Sequence, residues 1–543
     1  MSTLTLEFDN AHDSALQGAT QRASYDPATG ALLGHVPLVG RDGVDAALRS
    51  ARAAQPTWAA TPLKQRAALV DRVRALLVAE QSSIAELIAL EQGKPVPEAL
   101  AIELLSVMAT LKWLGKEGAR HLRPRRVDFQ QPLFATKKGR YEFDPLGIVA
   151  IISPWNYPFS IPIGQVMAAL MAGNAVVLKP SPYSPLTAQR IAELLRQAEL
   201  PPGLFHVLHI EDDDAPHLTA HPEVNKVIFT GSVATGRKVM ASAAAGPTPV
   251  VLELGGKDAA IVAADADLTR TVAGILWFAM ANSGQTCAGI ERVYVEETIY
   301  DRFVSEMKRQ MLALRVDEGS RATSDVGPLS NEAQLATVEA QLADAVAQGA
   351  RVEVGGHRLN RPGLFFAPTL LTEVREEMEV MQQETFGPLL PVAKVQSLDE
   401  AVKRANALPY GLSASVWTTN ERLGWEIASQ LRAGAVAIND HAFHWGEPTT
   451  PWGGVNQSGF GHTHGEAGLL EMVNVKLVSY DGRREALDAW WYPYDEQSRS
   501  FLQNSARFLY GRGLQRFWAL ISLAFNRRTW QRLNLVDFVR GLL

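Results

Sequence analysis

The sequence contains one cysteine, Cys287, and its thiol is the group best suited to covalent catalysis. It lies in NSGQTCAGIER, residues 282–292, between Gly284 and Gly289, and its near neighbours are small or polar. One thiol cannot form an internal disulfide or a four-cysteine zinc site, whereas a thiolate can attack a carbonyl carbon. The competing interpretation is a buried, inert cysteine, which is common in protein cores.

Two polar residues have types that could assist such a nucleophile. Glu253 ends the apolar run TPVVLEL just before two glycines, where burial would raise its pKa and suit it to act as a general base. Asn156, in SPWNYPF, follows another apolar run, so its amide could donate to a developing oxyanion. Taken alone, each has a simpler interpretation: an exposed glutamate at a strand end, and a turn-forming asparagine between prolines.

A glycine-containing turn, FTGSVATGRKV at residues 229–239, could bind a phosphate group. Gly231, Ser232 and Gly236 lie between a strand pattern and a helix pattern, where backbone N–H groups can face an anion. The spacing is not G-x-G-x-x-G, and the GGK of residues 255–257 lacks the spacing of a phosphate loop. By itself this turn is weak support for a dinucleotide site.

Alternating strands and helices would bring these residues together. From residue 147 short apolar runs alternate with helical patterns, and the same alternation returns between about 292 and 440. This predicts an α/β fold with two parallel sheets, with ligands at the carboxyl ends of the strands. Residues 43–118 are predicted to be helical, with a stop at QGKP, 92–95, and residues 123–146 to form an extended hairpin arm.

Composition excludes several classes of protein. The 543 residues are 47% hydrophobic and 20% charged, which is typical of a globular chain of two or three domains. A net charge of -6 argues against a nucleic-acid binder. The N-terminal residues are not typical of a secretory signal, and no apolar run is long enough to span a membrane. A single cysteine fits a reducing compartment, so a cytoplasmic location is predicted.

Residues 483–543 differ from the rest of the chain. They carry ten Arg, no Lys and five acidic residues, and they include Trp490, Trp491, Trp518 and Trp530. The spacing of the apolar residues predicts an amphipathic helix over 514–525. Three roles are consistent with this pattern: docking onto a neighbouring subunit, which is preferred, contact with an anionic membrane, or completion of the chain's own surface.

Six motifs, taken in order, resemble the aldehyde dehydrogenase superfamily over about residues 20–480. They are PWN at 154–156, KPS at 179–181, FTGS at 229–232, ELGGK at 253–257, GQTC at 284–287 and ETFGP at 384–388. The resemblance implies the aldehyde dehydrogenase fold, with a Rossmann-like cofactor domain, an α/β catalytic domain and a β-arm for oligomerisation. It also implies NAD(P)-dependent oxidation of an aldehyde to a carboxylic acid through a cysteine thioester.

The resemblance assigns a role to each catalytic candidate. Cys287 would attack the carbonyl carbon, Asn156 and the backbone N–H of Cys287 would hold the oxyanion, and Glu253 would activate the hydrolytic water. Lys179 would contact the adenosine ribose and Glu384 the nicotinamide ribose. The complete cofactor set implied is Ser153, Trp155, Lys179, Ser181, Gly231, Ser232, Gly236, Leu254, Gly255, Glu384 and Phe386.

Two departures from the family pattern affect these roles. Pro182 stands where NAD-preferring relatives often have a glutamate, so use of NADP is plausible and the choice between NAD and NADP stays open. Residues 462–465, HTHG, replace a common Arg-Glu-Leu-Gly whose glutamate relays protons in relatives, which puts that relay in doubt. No third ligand accompanies the two histidines of this segment, so no metal is expected.

Substrate and assembly are less specific implications of the resemblance. The tunnel positions are Tyr157, Ile161, Gly164 and Trp452, which favour aliphatic or aromatic aldehydes over semialdehyde acids. A homodimer or homotetramer is implied. The alternatives are a CoA-acylating enzyme, against which Glu253 argues, and a non-catalytic binding or structural protein. The predicted division is 1–122, 147–253 and 441–465 for the cofactor domain, 254–440 for the catalytic domain, 123–146 and 466–482 for the arm, and 483–543 for the extension.

Overall fold

The computed structural model describes residues 20–134, 137–482, 488, 490–527 and 529. The chain divides into two compact units, one of Met1–His121 with Pro145–Asn474 and the other of Leu122–Asp144 with Val475–Leu543. The predictions for the N-terminal segment and for Trp530 lie outside the described residues. Within the described part of the chain, no helix combines the length and the hydrophobicity needed to cross a bilayer.

Eighteen strands are present in the described residues, most of them short and apolar. They are β1 (Gln21–Tyr25), β2 (Leu32–Pro37), β3 (Arg125–Val127), β4 (Lys137–Pro145), β5 (Ile148–Ile152), β6 (Ala175–Lys179), β7 (Phe205–Val207), β8 (Lys226–Gly231), β9 (Val250–Leu254), β10 (Asp258–Val262), β11 (Ile290–Glu296), β12 (Arg351–Val354), β13 (Thr369–Thr372), β14 (Leu389–Val395), β15 (Ser413–Trp417), β16 (Ala435–Ile438), β17 (Gly459–Phe460) and β18 (Val473–Asp481).

The helices of the described residues fill the intervals between these strands. They are α1 (Arg41–Ala60), α2 (Leu63–Gln92), α3 (Val96–Glu98), α4 (Ser106–Trp113), α5 (Ala119–His121), α6 (Ser160–Ala172), α7 (Pro185–Gln197), α8 (Ala215–Thr219), α9 (Val233–Ala243), α10 (Leu268–Met280), α11 (Glu297–Leu312), α12 (Glu332–Ala347), α13 (Glu379–Gln382), α14 (Leu398–Ala405), α15 (Glu421–Ala428), α16 (Gly465–Leu470), α17 (Glu496–Tyr510) and α18 (Leu514–Phe525).

The first large sheet has the strand order β17-β9-β8-β5-β6-β7. Its strands are parallel except for β17, which pairs antiparallel with β9. All five residues of β5 and of β6 are buried, because helices cover both faces of such a sheet. Neighbouring β9, β8 and β5 end at Leu254, Gly231 and Ile152, so their carboxyl ends share one edge of the sheet.

The second large sheet has the order β12-β13-β14-β11-β10-β15-β16, with only β12 antiparallel to its neighbour. Alternate residues of β10 enter two different apolar clusters, Ala259 and Ile261 on one face and Ala260 and Val262 on the other. The predicted α/β fold with two mainly parallel sheets is confirmed. The division between a cofactor domain and a catalytic domain stays a prediction.

The longest helix of the region that precedes the first large sheet ends where the sequence predicts. Helix α2 stops at Gln92, and Gly93 takes a left-handed conformation with φ 95°. The chain then continues through α3 into a π-helical segment, Ala99–Leu105. Such wide turns often occur at functional sites, and this one carries Glu103 into the interior of the protein.

The second unit contains the predicted hairpin arm and the C-terminal helices. Strands β3 and β4 pair antiparallel, as predicted, and the three-stranded sheet has the order β18-β4-β3. Helix α18 has the predicted bounds. Helices α17 and α18 pack together through four buried side chains, with Leu133 of the arm and Trp490 against them: Phe501, Phe508, Ala519 and Leu523.

Candidate active site

Cys287 follows a strained turn at the end of α10. Asn282, Ser283 and Gly284 all have positive φ, at 55°, 58° and 76°. A side chain at residue 284 would collide with the Gly387 carbonyl, so this position requires glycine. The turn is held from outside, because Glu98 Oε2 accepts a hydrogen bond from the Asn282 N–H at 2.8 Å. Strain of this kind persists only where surrounding contacts fix it, and it is typical of functional sites.

Two cavities meet at Cys287. One has a volume of about 240 Å³ and is lined mainly by apolar and aromatic side chains. The other has a volume of about 200 Å³, and its lining combines aromatic and apolar residues with polar ones, including Asn156 and Glu253. The thiol therefore faces an apolar compartment and a polar one, and the three predicted catalytic residues come together at the polar one. We call these spaces the apolar cavity and the polar cavity.

Asn156 is buried, and both its side-chain amide and its backbone carbonyl are hydrogen-bonded. Its Nδ2 donates to the Gln285 carbonyl at 3.0 Å, and a primary amide has a second N–H to donate. Its own carbonyl accepts hydrogen bonds from Lys94 Nζ at 2.7 Å and from Asn282 Nδ2 at 2.9 Å. The amide is thus oriented beside the turn that carries Cys287, where it can stabilise negative charge.

Glu253 is a buried carboxyl group near the end of β9. Burial raises its pKa well above the ordinary value, and the Thr463 hydroxyl offsets only part of this rise. Burial also raises the pKa of the Cys287 thiol, with the negative charges of Glu384, Asp258 and Glu253 adding to the effect. A neutral thiol beside a carboxylate of raised pKa is an arrangement in which the carboxylate can accept the proton.

The polar cavity contains most of the residues implied for a cofactor. Glu384 Oε1 accepts a hydrogen bond from the Gly256 N–H at 3.2 Å, and a side chain at Gly255 would collide with the Glu384 carboxylate. Burial, with the Glu291 charge second, raises the pKa of Glu384 to about 8. The predicted cofactor residues that line this cavity are Trp155, Gly231, Ser232, Leu254, Gly255, Glu384 and Phe386.

The turn after β8 fits a dinucleotide phosphate. Ser232 caps α9 by accepting a hydrogen bond from the Thr235 N–H at 3.2 Å, and Gly231 and Ser232 face the polar cavity. Helix N–H groups at this position can bind a phosphate. Gly236 does not line the cavity but packs against Leu254, where a larger residue would collide. The residues present therefore fit the cofactor that the sequence implies.

Three further predicted cofactor residues lie beside the polar cavity rather than in its wall. The Ser153 N–H donates to the Lys179 carbonyl at 3.1 Å, across the ends of β5 and β6. Ser181 Oγ accepts from the Tyr183 N–H at 3.3 Å. Lys179 is buried, and its Nζ lies 2.8 Å from the exposed carboxylate of Asp212. The acidic turn at 211–214 thus reaches the residue predicted to contact the adenosine ribose.

A buried ion pair that sequence reasoning missed supports Glu384 and Phe386. Lys257 Nζ lies 2.6 Å from Glu291 Oε2 and donates to Thr385 Oγ1 at 3.0 Å. The two Glu291 oxygens also accept the N–H groups of Thr385 and Phe386, each at 2.7 Å. Lys257 belongs to the ELGGK motif, but its partners come from β11 and from the loop after α13.

A second buried ion pair supports Asn156. Lys94 and Glu103 have fully buried side chains, with Nζ and Oε1 2.7 Å apart. Glu103 Oε2 also accepts the N–H groups of Phe159 and Ser160, at 2.9 and 3.0 Å, at the start of α6. In the sequence Lys94 appears only as part of the QGKP helix stop, so nothing there connects it with Asn156.

His441 is a third residue that the sequence did not identify. Its Nε2 lies 2.9 Å from the Ala288 carbonyl, next to Cys287, and 3.2 Å from Ser413 Oγ. Ser413 in turn binds the buried carboxylate of Asp258 through its N–H at 3.0 Å. Burial lowers the pKa of His441 to about 3, so the ring is neutral and acts as a hydrogen-bonding brace for the cysteine turn.

Three of the four predicted tunnel residues line the apolar cavity. Tyr157, Ile161 and Trp452 do so, whereas Gly164, one turn along α6, does not. Tyr157 Oη lies 2.7 Å from Thr286 Oγ1. None of the lining residues in the described part of the chain has a charged side chain. The others are Ala101, Ile102, Ser106, Trp277, Phe278, Ala281, Thr286, Cys287, Ala288, Ala442, Phe443, Trp445 and Gly446.

The histidine-rich segment near the acidic turn, residues 206–221, contains buried and hydrogen-bonded histidines. His209 is buried, and burial lowers its pKa to about 4. His217 Nε2 lies 2.7 Å from Asp45 Oδ1, and His221 Nε2 lies 3.5 Å from it. The Glu223 N–H donates to His221 Nδ1 at 3.1 Å, which places that ring's proton on Nε2, the atom a metal would need.

The chain is similar to known proteins in both sequence and structure. A sequence model of the aldehyde dehydrogenase family matches residues 15–478. The chain is 36% identical over 530 residues to the 4,4'-diapolycopene aldehyde oxidase of Methylomonas sp, covering 95% of this chain and 98% of that protein. It is 37% identical over 465 residues to mitochondrial succinate-semialdehyde dehydrogenase of Mus musculus, covering 84% and 87%. The NAD+ complex of an aldehyde dehydrogenase from Bacillus cereus has a TM-score of 0.82 and 30% identity, covering 86% and 94%.

Proposed function

The chain belongs to the aldehyde dehydrogenase family, and we propose that it oxidises aldehydes of low polarity to carboxylic acids with NAD+ or NADP+. The observation that carries this proposal is the position of Cys287, which lines both the apolar and the polar cavity. An aldehyde entering from the apolar side reaches the thiol with its carbonyl beside Asn156. The polar cavity, lined by Glu384 and Phe386, would hold the nicotinamide on the other side of the thiol.

The residues at the junction supply the groups that the reaction requires. Cys287 loses its proton to a base and forms a bond from Sγ to the carbonyl carbon, giving a thiohemiacetal. The Asn156 amide and the Cys287 N–H stabilise the negative oxygen. Bound NAD(P)+ would supply the hydride acceptor for this carbon, and Cys287 would then hold the acyl group as a thioester. Glu253 then takes a proton from water, the hydroxide attacks the thioester, and the carboxylic acid and the thiol are released.

We propose that the cofactor lies along the carboxyl ends of β9, β8, β5 and β6. Its pyrophosphate would face Gly231 and Ser232, its nicotinamide ribose would bind Glu384, and Phe386 would pack beside the ring. Trp155 supports this wall, because its ring meets that of Phe386 edge-on with centroids 5.3 Å apart. The adenosine ribose would then reach Lys179 and Asp212 beyond the end of β6.

The lining of the apolar cavity supports an aliphatic or aromatic aldehyde as substrate. The two named relatives carry different aldehydes in their names, so the names alone do not select a substrate class. A semialdehyde acid brings a second carboxylate, which needs a cation or several donors when it leaves water. The described lining of the apolar cavity offers hydroxyl groups and aromatic rings instead.

Two alternative functions are less well supported. A CoA-acylating enzyme releases its thioester to CoA and has no need of a buried base, whereas Glu253 is buried in the wall of the polar cavity. A non-catalytic protein has no need of a nucleophile, an oxyanion donor and a base, whereas Cys287, Asn156 and Glu253 line one cavity.

The experiment that tests the proposal measures NADH and NADPH formation by absorbance, with hexanal and with benzaldehyde, in the absence of CoA. Wild type should form reduced cofactor and Cys287→Ala should not, since no other residue supplies a thiol. Activity retained by Cys287→Ala would contradict the proposal. Activity that requires added CoA would support the CoA-acylating alternative.

We also propose that the arm joins subunits into a dimer or a tetramer. Strand β18 has an exposed sequence in which Val475, Leu477 and Tyr480 are more than one third accessible. An exposed apolar strand of this kind is a common site of association. Light scattering coupled to size exclusion would give the oligomeric mass, and a monomer at micromolar concentration would contradict this proposal.

A further inference from the structure

The packing of the C-terminal hairpin uses only one face of α18. Ala519 and Leu523 are buried against Phe501 and Phe508 of α17. Five apolar residues recur three, one, three and four positions apart, and at 3.6 residues per turn they form a stripe opposite that buried face. The stripe consists of Leu514, Phe517, Trp518, Ile521 and Phe525.

This apolar stripe is exposed. The accessible fractions are 76% for Leu514, 55% for Phe517, 63% for Trp518 and 87% for Phe525. Large aromatic side chains rarely stand in water as a continuous row, and such a row normally marks an interaction surface. The stripe is therefore a candidate interaction surface.

Cationic residues surround the stripe. Between Trp490 and Arg527 the described residues include five arginines, against only Asp495 and Glu496 as acids, and α18 itself has no acidic residue. Arg512 and Arg527, at the two ends of α18, are exposed. Arg516 is tied back to the hairpin, because its Nε donates to the Phe508 carbonyl at 2.9 Å.

We propose that the apolar stripe of α18 docks this protein onto an anionic lipid bilayer, with the helix lying in the plane of the interface. A row of Trp, Phe and Leu flanked by arginines has the composition of interfacial helices, in which the rings enter the headgroup region and the guanidinium groups bind lipid phosphates. At twelve residues α18 is about 18 Å long, too short to span a bilayer.

A bilayer fits this surface better than a neighbouring subunit, the occupant that the sequence favoured. A stable protein interface buries roughly 800 Å² on each partner, more than one exposed helix face about 18 Å long provides. The excess of one charge would also have to be matched on the partner. An anionic bilayer is continuous and of uniform charge, so it meets both conditions without a complementary shape.

The test is flotation of the full chain with vesicles of phosphatidylcholine alone and of phosphatidylcholine with phosphatidylglycerol. Wild type should float with the anionic vesicles, and high salt should weaken binding because it screens the arginines. The double variant Phe517→Ser/Trp518→Ser should lose more than about tenfold of the bound fraction. Trp425→Ser is the matched control, since Trp425 is 65% exposed on α15 of the other unit, and it should bind as wild type does.

Two results would overturn the inference. Absence of wild-type binding to both kinds of vesicle would remove the membrane as occupant, and equal binding by the double variant would remove the stripe as the site. If the double variant instead lowers the oligomeric mass while vesicles are not bound, the stripe joins subunits. Hexanal oxidation should be unchanged in the double variant, which shows that the variant is folded and separates this test from that of the active site.

Discussion

The two cavities that meet at Cys287 differ in where their charge is placed. Among the described residues, the carboxylates that line the two cavities, Glu253 and Glu384, both lie on the polar side, and the buried Lys257–Glu291 pair supports that side. The apolar side is lined by aromatic rings, small residues and hydroxyl groups. Trp445 and Trp452 meet there edge-on, with ring centroids 5.7 Å apart. The carboxyl groups of the polar side can therefore accept and donate protons. The apolar side can bind and position an apolar chain.

This difference predicts that the two sides of the junction control different kinetic parameters. Changes on the polar side should act mainly on kcat, because they alter groups that gain charge or lose protons during the reaction. Changes on the apolar side should act mainly on KM and on the choice of aldehyde, because burial of apolar surface is the interaction available there. A polar-side variant that changed mainly KM, or an apolar-side variant that changed mainly kcat, would contradict this division of roles.

The largest effect is expected for Glu253→Gln on the polar side. Removing the base should lower kcat by about 10²–10⁴-fold and let the acyl-cysteine accumulate, which intact-protein mass spectrometry detects. Because the carboxylate form is the base and burial raises its pKa, wild-type kcat should rise with pH above the range in which an ordinary glutamate titrates. That rise should vanish in the variant. A variant that kept both kcat and its pH dependence would assign the base to another residue.

A smaller but still large effect is expected for Lys94→Met, because the ammonium group of Lys94 binds the backbone carbonyl of Asn156. The change leaves Glu103 buried without its cation, which should lower the free energy of unfolding by about 3–5 kcal/mol in urea titrations. It should also lower kcat more than it changes KM, since Lys94 orients Asn156. Arg41→Met is the matched control. It breaks an exposed pair with Asp214 and should cost less than about 1 kcal/mol.

A tenfold effect on the choice of cofactor is expected outside both cavities, beyond the end of β6. Asp212→Asn removes the carboxylate 2.8 Å from Lys179, close to where we propose that the adenosine ribose binds. A carboxylate there repels a 2′-phosphate, so kcat/KM for NADP+ relative to NAD+ should rise about tenfold, equivalent to about 1.4 kcal/mol. Asp213→Asn is the control in the same turn. An unchanged ratio would mean that the ribose does not reach this turn.

The sequence predicted those features that depend on local pattern. The βα alternation, the helix stop at Gly93 and the bounds of α18 all follow from periodicity and from residues with special backbone preferences. Contacts between distant segments could not be read in this way. Lys94 and Asn156 are separated by 62 positions, and His441 and Ala288 by 153. Only the order of strands and the packing of helices bring such residues together.

The sequence also could not predict which residues of a motif point into the cavities. Ser232 was predicted from the strand-to-helix change, and it lies at the polar cavity. Gly236, only four residues further, lies inside α9 and packs against Leu254 instead. Gly164 belongs to the same helix as Ile161 but does not line the apolar cavity. Motif membership identifies the neighbourhood of a residue, whereas the direction of its side chain depends on how the element is packed.

The smallest effect is expected on the apolar side, where kcat/KM should change with each carbon added in a series of straight-chain aldehydes. Each added methylene that enters the apolar cavity leaves water and gains about 0.8 kcal/mol, so kcat/KM should rise about fourfold per carbon until the cavity is full. Trp452→Ala should flatten this rise, because the indole belongs to the apolar lining that the chain would contact. Glu253→Gln should keep the slope of kcat/KM, because the carboxylate acts on the acyl-cysteine after the aldehyde has reacted. A series without slope would mean that the chain stays in water, and the apolar cavity would then not be the aldehyde site.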